Sequence, residues 1–155
     1  LQRDLWYLTV GHAAQGVEDF IRLHSTPAQP QGIQAGAVFF PGGNQIVGQQ
    51  GFDSRLQPWD KFPSSLEWHP MAYSVCGGTY CVVDEIARVV RFAPPNTAII
   101  PAIAGDWDRY QGNRPSLKDQ MAAIKTNFPR IDSVSHFAYS WQEPESDNNR
   151  KFCRL

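Results

Sequence analysis

Four short apolar segments alternate with segments of helical periodicity, and this alternation limits the fold more than any other feature of the sequence. The apolar segments cover residues 33–40, 66–74, 96–105 and 132–141. They are apolar at successive positions, as strands of a sheet covered by helices on both faces must be. Because strands that alternate with helices form consecutive βαβ units, the sequence predicts a parallel sheet with right-handed crossovers. We expect one α/β domain spanning residues 1–155.

Three segments carry apolar residues at the three-to-four-residue spacing of an amphipathic helix: 10–24, 82–90 and 117–128. The third has the clearest start, because Ser116 can cap the helix and Asp119 follows three residues later. In the second, Asp84 and Glu85 are expected in the first turn, where the helix dipole favours acidic side chains. A further short helix is predicted over residues 53–62.

Pro101 lies in the middle of the third predicted strand. Proline has no backbone N–H and therefore cannot donate to the hydrogen-bond ladder of a sheet. A bulge or a sheet edge is expected at this position.

Two architectures fit four βα units: a small open doubly wound sheet, or half of a (β/α)8 barrel. The open sheet usually has a phosphate-binding glycine-rich turn after its first strand, but residues 39–48, FFPGGNQIVG, lack the G-x-G-x-x-G spacing and an immediate helix. A complete barrel requires about 250 residues, more than the 155 present. Four strands would also leave two open edges. The sequence therefore favours a half-barrel that needs its other half.

Composition excludes some classes of partner. With 14 basic and 15 acidic residues the formal net charge is -1, so there is no electrostatic signature of nucleic-acid binding or of an anionic membrane surface. No apolar run approaches the roughly 20 residues of a membrane-spanning helix, so no membrane insertion is expected. The chain begins at Leu1 and is interpreted as a trimmed or partial product, which makes the absence of a targeting signal uninformative.

The three cysteines predict neither a metal site nor a cofactor. Cys76 and Cys81 have no second close pair and no histidine at finger-like spacing, as zinc would require, and Cys153 lies far along the chain. A Cys76–Cys81 disulfide is sterically possible but would close a very short loop. Free thiols are the favoured interpretation. A metal site built on His69 and His136 would lack a clear third ligand.

Three stretches of the sequence resemble the C-terminal half of the family 10 glycosyl-hydrolase-like barrel proteins. They are WHPMAYSVCGGTYCVVDEI, IIPAIAGDW with NRPSLKDQM, and VSHFAYSWQEPE with RKFC, and the resemblance covers about Ala35 to the end. It implies a (β/α)8 TIM-type barrel whose last four strands are those identified above, and a carbohydrate substrate. It also implies that the first four strands and at least one catalytic carboxylate lie upstream of Leu1.

The active site of such a barrel forms at the carboxyl ends of its strands. Glycoside hydrolysis uses two carboxyl groups, about 5 Å apart for retention or about 6.5–9.5 Å apart for inversion. Asp106 and Glu143 follow neighbouring predicted strands and are the predicted catalytic pair. The residues predicted to hold the sugar are Tyr73, Trp107, Trp141 and Gln142.

Several interpretations remain open. Asp106 could cap a turn, Glu143 could be a solvated acid near the charged tail, and Trp107 and Trp141 could plug the barrel mouth. The predicted function is a glycoside-hydrolase-like barrel fragment that acts on or binds an oligosaccharide or cell-wall polysaccharide, a substrate that favours a location outside the cytoplasm. The alternative is a non-catalytic carbohydrate-binding or scaffolding half-barrel. Its partner would be the missing N-terminal half or a second copy.

Overall fold

The computed structural model describes residues 1–45, 53–104 and 114–137. In chain order, their helices and strands are α1 (Gln2–Ser25), β1 (Gly36–Phe39), β2 (Glu67–Pro70), α2 (Thr79–Phe92), β3 (Ala98–Ile99), β4 (Ala102–Ile103), α3 (Leu117–Asn127) and β5 (Ser135–His136). Single 3-10 turns form at Gln29–Gln31 and Trp59–Lys61. The α/β class predicted from the sequence is confirmed.

The strands pair in parallel and in chain order. β1 pairs with β2, β2 pairs with β3, and β4 pairs with β5. A parallel bridge between Met71 and Ala102 joins β4 to the end of β2. β4 continues the line of β3 beyond Pro101, so the neighbouring segments follow chain order, which confirms the predicted parallel pairing.

Pro101 separates β3 from β4 without shifting their register on β2. The Ile100 N–H donates to the Trp68 carbonyl (2.8 Å), and the Ala72 N–H donates to the Ala102 carbonyl (2.9 Å). The Pro101 carbonyl accepts from the Ser135 N–H (2.9 Å), so the proline nitrogen also lies on the β5 side. The N–H that proline lacks would point toward β5 and not toward β2. The hydrogen bonds to β2 are therefore complete, and no bulge forms there.

The three helices pack on one face of the strands. The first cluster joins β1 and β2 to α1 and to the segment that precedes β2; its buried members are Ala37, Phe39, Trp59, Phe62, Leu66, Trp68 and Val89, with Val17 and Ile21 of α1 packed against them. The second joins the sheet to α2 and α3 through Ala72, Val82, Ile86, Ile103 and Ile124. Trp68 and Ala72 are an even number of residues apart along one strand, so both clusters lie on the same side of the sheet.

At β1 and β2 the opposite face differs from the expectation of strands buried on both sides, whereas farther along the strands Tyr73, Ala102 and Ala104 form a third buried cluster there. Burial alternates along β1, and Val38 is 60% exposed. On the same face of β2, His69 Nε2 lies 3.5 Å from Glu67 Oε2. A Cβ added to Gly36 would lie only 2.7 Å from His69 Nε2, so glycine makes room for the imidazole. We call this side, with Gly36, Val38, Glu67 and His69, the open face.

The helices predicted over residues 10–24, 82–90 and 117–128 are present as α1, α2 and α3, whereas the first-turn placement of Asp84 and Glu85 and the short helix over 53–62 were wrong. α2 begins at Thr79, directly after the glycines at 77 and 78, which places Asp84 and Glu85 in its second turn rather than its first. Residues 53–62 contain a single 3-10 turn, because Pro58 cannot donate to a helix. α3 begins as predicted, with Ser116 Oγ accepting from the Asp119 N–H at 3.1 Å. In the described ranges, the helices are too short or too polar to span a bilayer.

Candidate functional site

The candidate site is the rim formed by the residues that follow the carboxyl ends of the strands. Of the predicted site residues, only Tyr73 lies within the described part of the chain. The predicted catalytic pair and three of the four predicted sugar contacts lie outside it: Asp106, Trp107, Trp141, Gln142 and Glu143. Their roles stay predictions.

Tyr73 follows β2 and is largely covered, with 8% of its surface exposed. Its ring stacks on Phe137, with 5.2 Å between the ring centroids, and its carbonyl accepts from Arg114 Nε at 2.8 Å. Burial raises the pKa of the Tyr73 hydroxyl. Phe137, 41% exposed, presents the accessible aromatic surface of this pair. Phe137 was not among the predicted sugar contacts. Its spacing of two residues from Ser135 places both on one strand face, and this was the available signal in the sequence.

The loop after β1 is tied to α2 and to the 3-10 turn at Trp59. The Pro41 carbonyl accepts from Trp59 Nε1 (3.2 Å) and from Arg88 Nε (3.0 Å). Arg88 Nη2 also donates to Asn44 Oδ1 at 2.7 Å, and Asn44 is buried. Charge-assisted hydrogen bonds of this kind are the stronger ones in proteins. They fix the course of the backbone at the end of β1.

Arg55 and Asp53 form an ion pair on this part of the rim. Arg55 Nε donates to Asp53 Oδ1 at 2.8 Å, and the guanidinium carbon lies 3.9 Å from the centroid of the Phe40 ring, a cation–π arrangement. The hydrogen bond from Arg55 holds the pKa of the Asp53 carboxyl below its usual range. Asp53 is therefore an ionised carboxylate at neutral pH, beside the Arg55 side chain, which remains 44% exposed.

Glu85 brings a second carboxyl group to the rim from α2. It accepts a hydrogen bond from the Ser74 N–H, and Arg55 is close enough to favour its ionised form. Its Oε2 atom is buried and has no hydrogen-bond partner within the described residues. Burial outweighs the two favourable contacts and raises the pKa of Glu85 to about 7. In the sequence Glu85 is recognisable only as an acid near a helix start, because its burial depends on distant segments.

The corner after β2 is closed by local contacts. Ser74 is fully buried and has φ of 52°, a conformation that non-glycine residues rarely adopt. Its hydroxyl donates to the Gly78 carbonyl at 2.7 Å, and its carbonyl accepts from the Gly77 N–H at 2.9 Å. These contacts hold the backbone in the strained conformation.

A disulfide spans the same corner. Cys76 and Cys81 are bridged, with their Cα atoms 6.2 Å apart, a normal separation for a disulfide. The expectation of free thiols at these two positions is therefore wrong. The turn at Gly77 folds the loop back onto the first turn of α2, which brings the two side chains together. Cys153 lies outside the described residues.

The structure does not bring the candidate metal ligands together. His69 lies on the open face, whereas His136 is in register with Ile103, a residue of the helix-covered face. Within the three described ranges, no group of three or more histidine, cysteine, aspartate or glutamate side chains is placed to hold a metal ion.

The rim thus carries Glu85, whose pKa burial raises, and Asp53, whose pKa the Arg55 contact lowers. No protein-family model, curated protein or solved structure matches the chain.

Proposed function

We propose that the chain is the C-terminal half of a (β/α)8 barrel of the glycoside-hydrolase-like type, which binds and cleaves an oligosaccharide or a cell-wall polysaccharide. The observation that carries the barrel assignment is the chain-order pairing of parallel strands with α1, α2 and α3 on a single face. A doubly wound sheet reverses its strand order at a switch point and covers both faces with helices. In a barrel, neighbouring strands follow one another in chain order, and the sheet face without helices points toward the barrel interior.

The chemistry of the rim supports a carbohydrate substrate. Cleavage of a glycosidic bond requires one carboxyl group that donates a proton to the leaving oxygen and one carboxylate that attacks the anomeric carbon or activates water. In the proposed site Asp106 and Glu143 supply these two groups. Tyr73, Trp107, Trp141 and Gln142 hold the sugar. The opposite pKa shifts of Asp53 and Glu85, on the same rim, support a site whose carboxyl groups differ in protonation.

The assembly test is sedimentation of the chain across a concentration series, with near-ultraviolet circular dichroism to report packing of the tryptophans. A half-barrel should associate through its open face and its free strand edges. Val38→Asp, on the open face, should weaken association, whereas Val90→Asp, at an exposed position on α2, should not. A wild-type monomer with fixed aromatic signals would contradict the half-barrel.

The activity test is release of reducing ends from xylan, cellulose and peptidoglycan by the active, full-length barrel that contains this half. The double variant Asp106→Asn, Glu143→Gln should lose turnover by about 10²–10⁴-fold, the usual contribution of acid–base groups. Asp84→Asn, which removes an exposed carboxyl group from α2, is the matched control and should leave turnover unchanged. Unchanged hydrolysis in the double variant would show that the two carboxyl groups are not the catalytic pair.

A second candidate function is carbohydrate binding without cleavage, and the exposed Phe137 ring favours it. An aromatic face of this kind can stack on the apolar side of a sugar ring. This function predicts saturable glycan binding with no turnover, weakened by Phe137→Ala and by alanine at Trp107 or Trp141. Absence of binding by a folded chain would exclude it.

A further inference from the structure

Gln120 is a polar side chain that is fully buried near the start of α3, one turn after the Ser116 cap. Its Nε2 atom donates to the Ala104 carbonyl and to the Pro115 carbonyl, both at 2.8 Å. An amide nitrogen carries two hydrogens, so the two carbonyls use both of them and fix which way the amide points. Ala104 follows β4 and Pro115 precedes α3. Gln120 therefore ties together the two ends of the connection between β4 and α3.

Both hydrogen-bonded partners of Gln120 lead to Tyr73. Ala104 is fully buried in the cluster that includes Tyr73. Arg114, the residue before Pro115, donates from Nε to the Tyr73 carbonyl at 2.8 Å. Gln120 thus reaches Tyr73 by two routes, through apolar packing of Ala104 and through the charge-assisted hydrogen bond of Arg114.

The two donors are what distinguish Gln120 from an ordinary core residue. Burial of an amide is costly unless its polar groups are hydrogen-bonded. Its Oε1 atom is buried without a partner in the described part of the chain, so there the side-chain amide is held by its two donors alone. An apolar side chain of the same size would fill the space but would leave the Ala104 and Pro115 carbonyls without these donors. What Gln120 adds to packing is thus its hold on two backbone carbonyls.

We propose that Gln120 is a positioning residue that sets the place of the Tyr73 ring and of the Phe137 ring stacked on it. The two ring centroids are 5.2 Å apart, so a displacement of Tyr73 displaces its neighbour. Phe137 presents the accessible part of this aromatic surface, whereas Gln120 is fully buried and does not touch the ligand. The ligand is the carbohydrate of the proposed function, so the inference rests on that function.

The first test needs no sugar and compares NMR resonances of the wild type, Gln120→Met and Ile124→Val. Methionine keeps the size of the side chain and removes both donors, so the carbonyl ¹³C resonances of Ala104 and Pro115 and the ring resonances of Tyr73 should all shift. Ile124 is buried one turn further along α3, and its truncation is the matched control that should leave Tyr73 unchanged. Tyr73 resonances that stay in place in Gln120→Met, or that shift equally in Ile124→Val, would overturn the proposal.

The second test measures binding of cellohexaose, xylohexaose and chitohexaose to the full-length barrel by titration calorimetry. In Gln120→Met the apparent Kd should rise about 2–30-fold, the range over which a residue in a contact network alters binding without touching the ligand. Ile124→Val should bind as the wild type does. Equal Kd values for the wild type and Gln120→Met would contradict the positioning role alone. A Tyr73 shift in the first test without binding of any of the three sugars would instead overturn the carbohydrate function.

A measurement on the wild type decides the matter if Gln120→Met does not fold. Coupling between two sites is reciprocal, so a sugar bound at the aromatic pair should shift the side-chain amide resonances of Gln120. A sugar that shifts the Phe137 resonances but leaves the Gln120 amide in place would refute the link between them.

Discussion

Arg88 on α2 donates to two oxygens of the loop after β1, the Pro41 carbonyl at 3.0 Å and the Asn44 side chain at 2.7 Å. Arg88 is 47 residues from Pro41 and 44 from Asn44 in the sequence, so this contact forms only when the helix has docked on the strands. It links a rim loop directly to the hydrophobic core, because Val89, the next residue of α2, is fully buried there.

We expect Asn44 and Arg88 to be energetically coupled. Asn44→Ala should lower the free energy of unfolding by about 1–3 kcal/mol, because the Arg88 guanidinium loses an acceptor in a partly buried place. A double-mutant cycle with Arg88→Ala, measured by urea denaturation, should give a coupling energy of about 0.5–3 kcal/mol. Additive effects of the two changes would contradict this contact.

Glu85 should make stability depend on pH. Its pKa rises from 4.5 to about 7 on folding, so its contribution is fully present below pH 4.5 and is lost as the pH rises through 7. Relative to Glu85→Gln, the wild type should lose about 1–3 kcal/mol between pH 4.5 and pH 8. Urea denaturation at several pH values measures this difference. Parallel stability curves for the two proteins would refute it.

Asp53 should show the opposite dependence. The Arg55 contact lowers its pKa, so its contribution is present above the unfolded value of 3.8 and is lost as the pH falls through the lower folded value. Asp53→Asn should therefore destabilise the protein at pH 7 and have less effect in strong acid. Thermal denaturation at pH 7 and pH 2.5 checks the sign, and a larger effect at the lower pH would exclude this assignment.

The disulfide between Cys76 and Cys81 should stabilise the fold modestly. Loop-closure entropy for so short a loop gives about 2 kcal/mol. The variant Cys76→Ser, Cys81→Ser should lose this amount without reductant, and its stability should not change further when dithiothreitol is added. The wild type should fall to the level of the variant on reduction. Alkylation of both cysteines in the unreduced, denatured chain would show that the bridge does not form.

Features of the fold that depend on nearby residues could be predicted from the sequence. The start of α3 follows from Ser116 and Asp119, which contact each other within one turn. The parallel strands follow from the alternation of apolar and amphipathic segments. α2 was placed too late, because the prediction began its apolar stripe at Val82 and left out the turn formed by the glycines at 77 and 78.

The electrostatics of the rim could not be predicted in this way. Asp53 and Arg55 are two residues apart, but the Phe40 ring beneath the guanidinium lies on another segment. The pKa of Glu85 depends on desolvation and on the Ser74 N–H, neither of which leaves a pattern in the sequence. The exposure of Val38 likewise depends on whether other segments cover the open face of the sheet, which the residues near Val38 do not indicate.

The crowding of Gly36 against His69 constrains how these two positions can change during evolution. His69 can be replaced by a smaller residue while Gly36 stays as it is. A side chain at position 36, in contrast, would overlap the imidazole unless the ring moved away from Glu67. Substitutions should therefore accumulate in a preferred order, with position 69 becoming smaller before position 36 becomes larger.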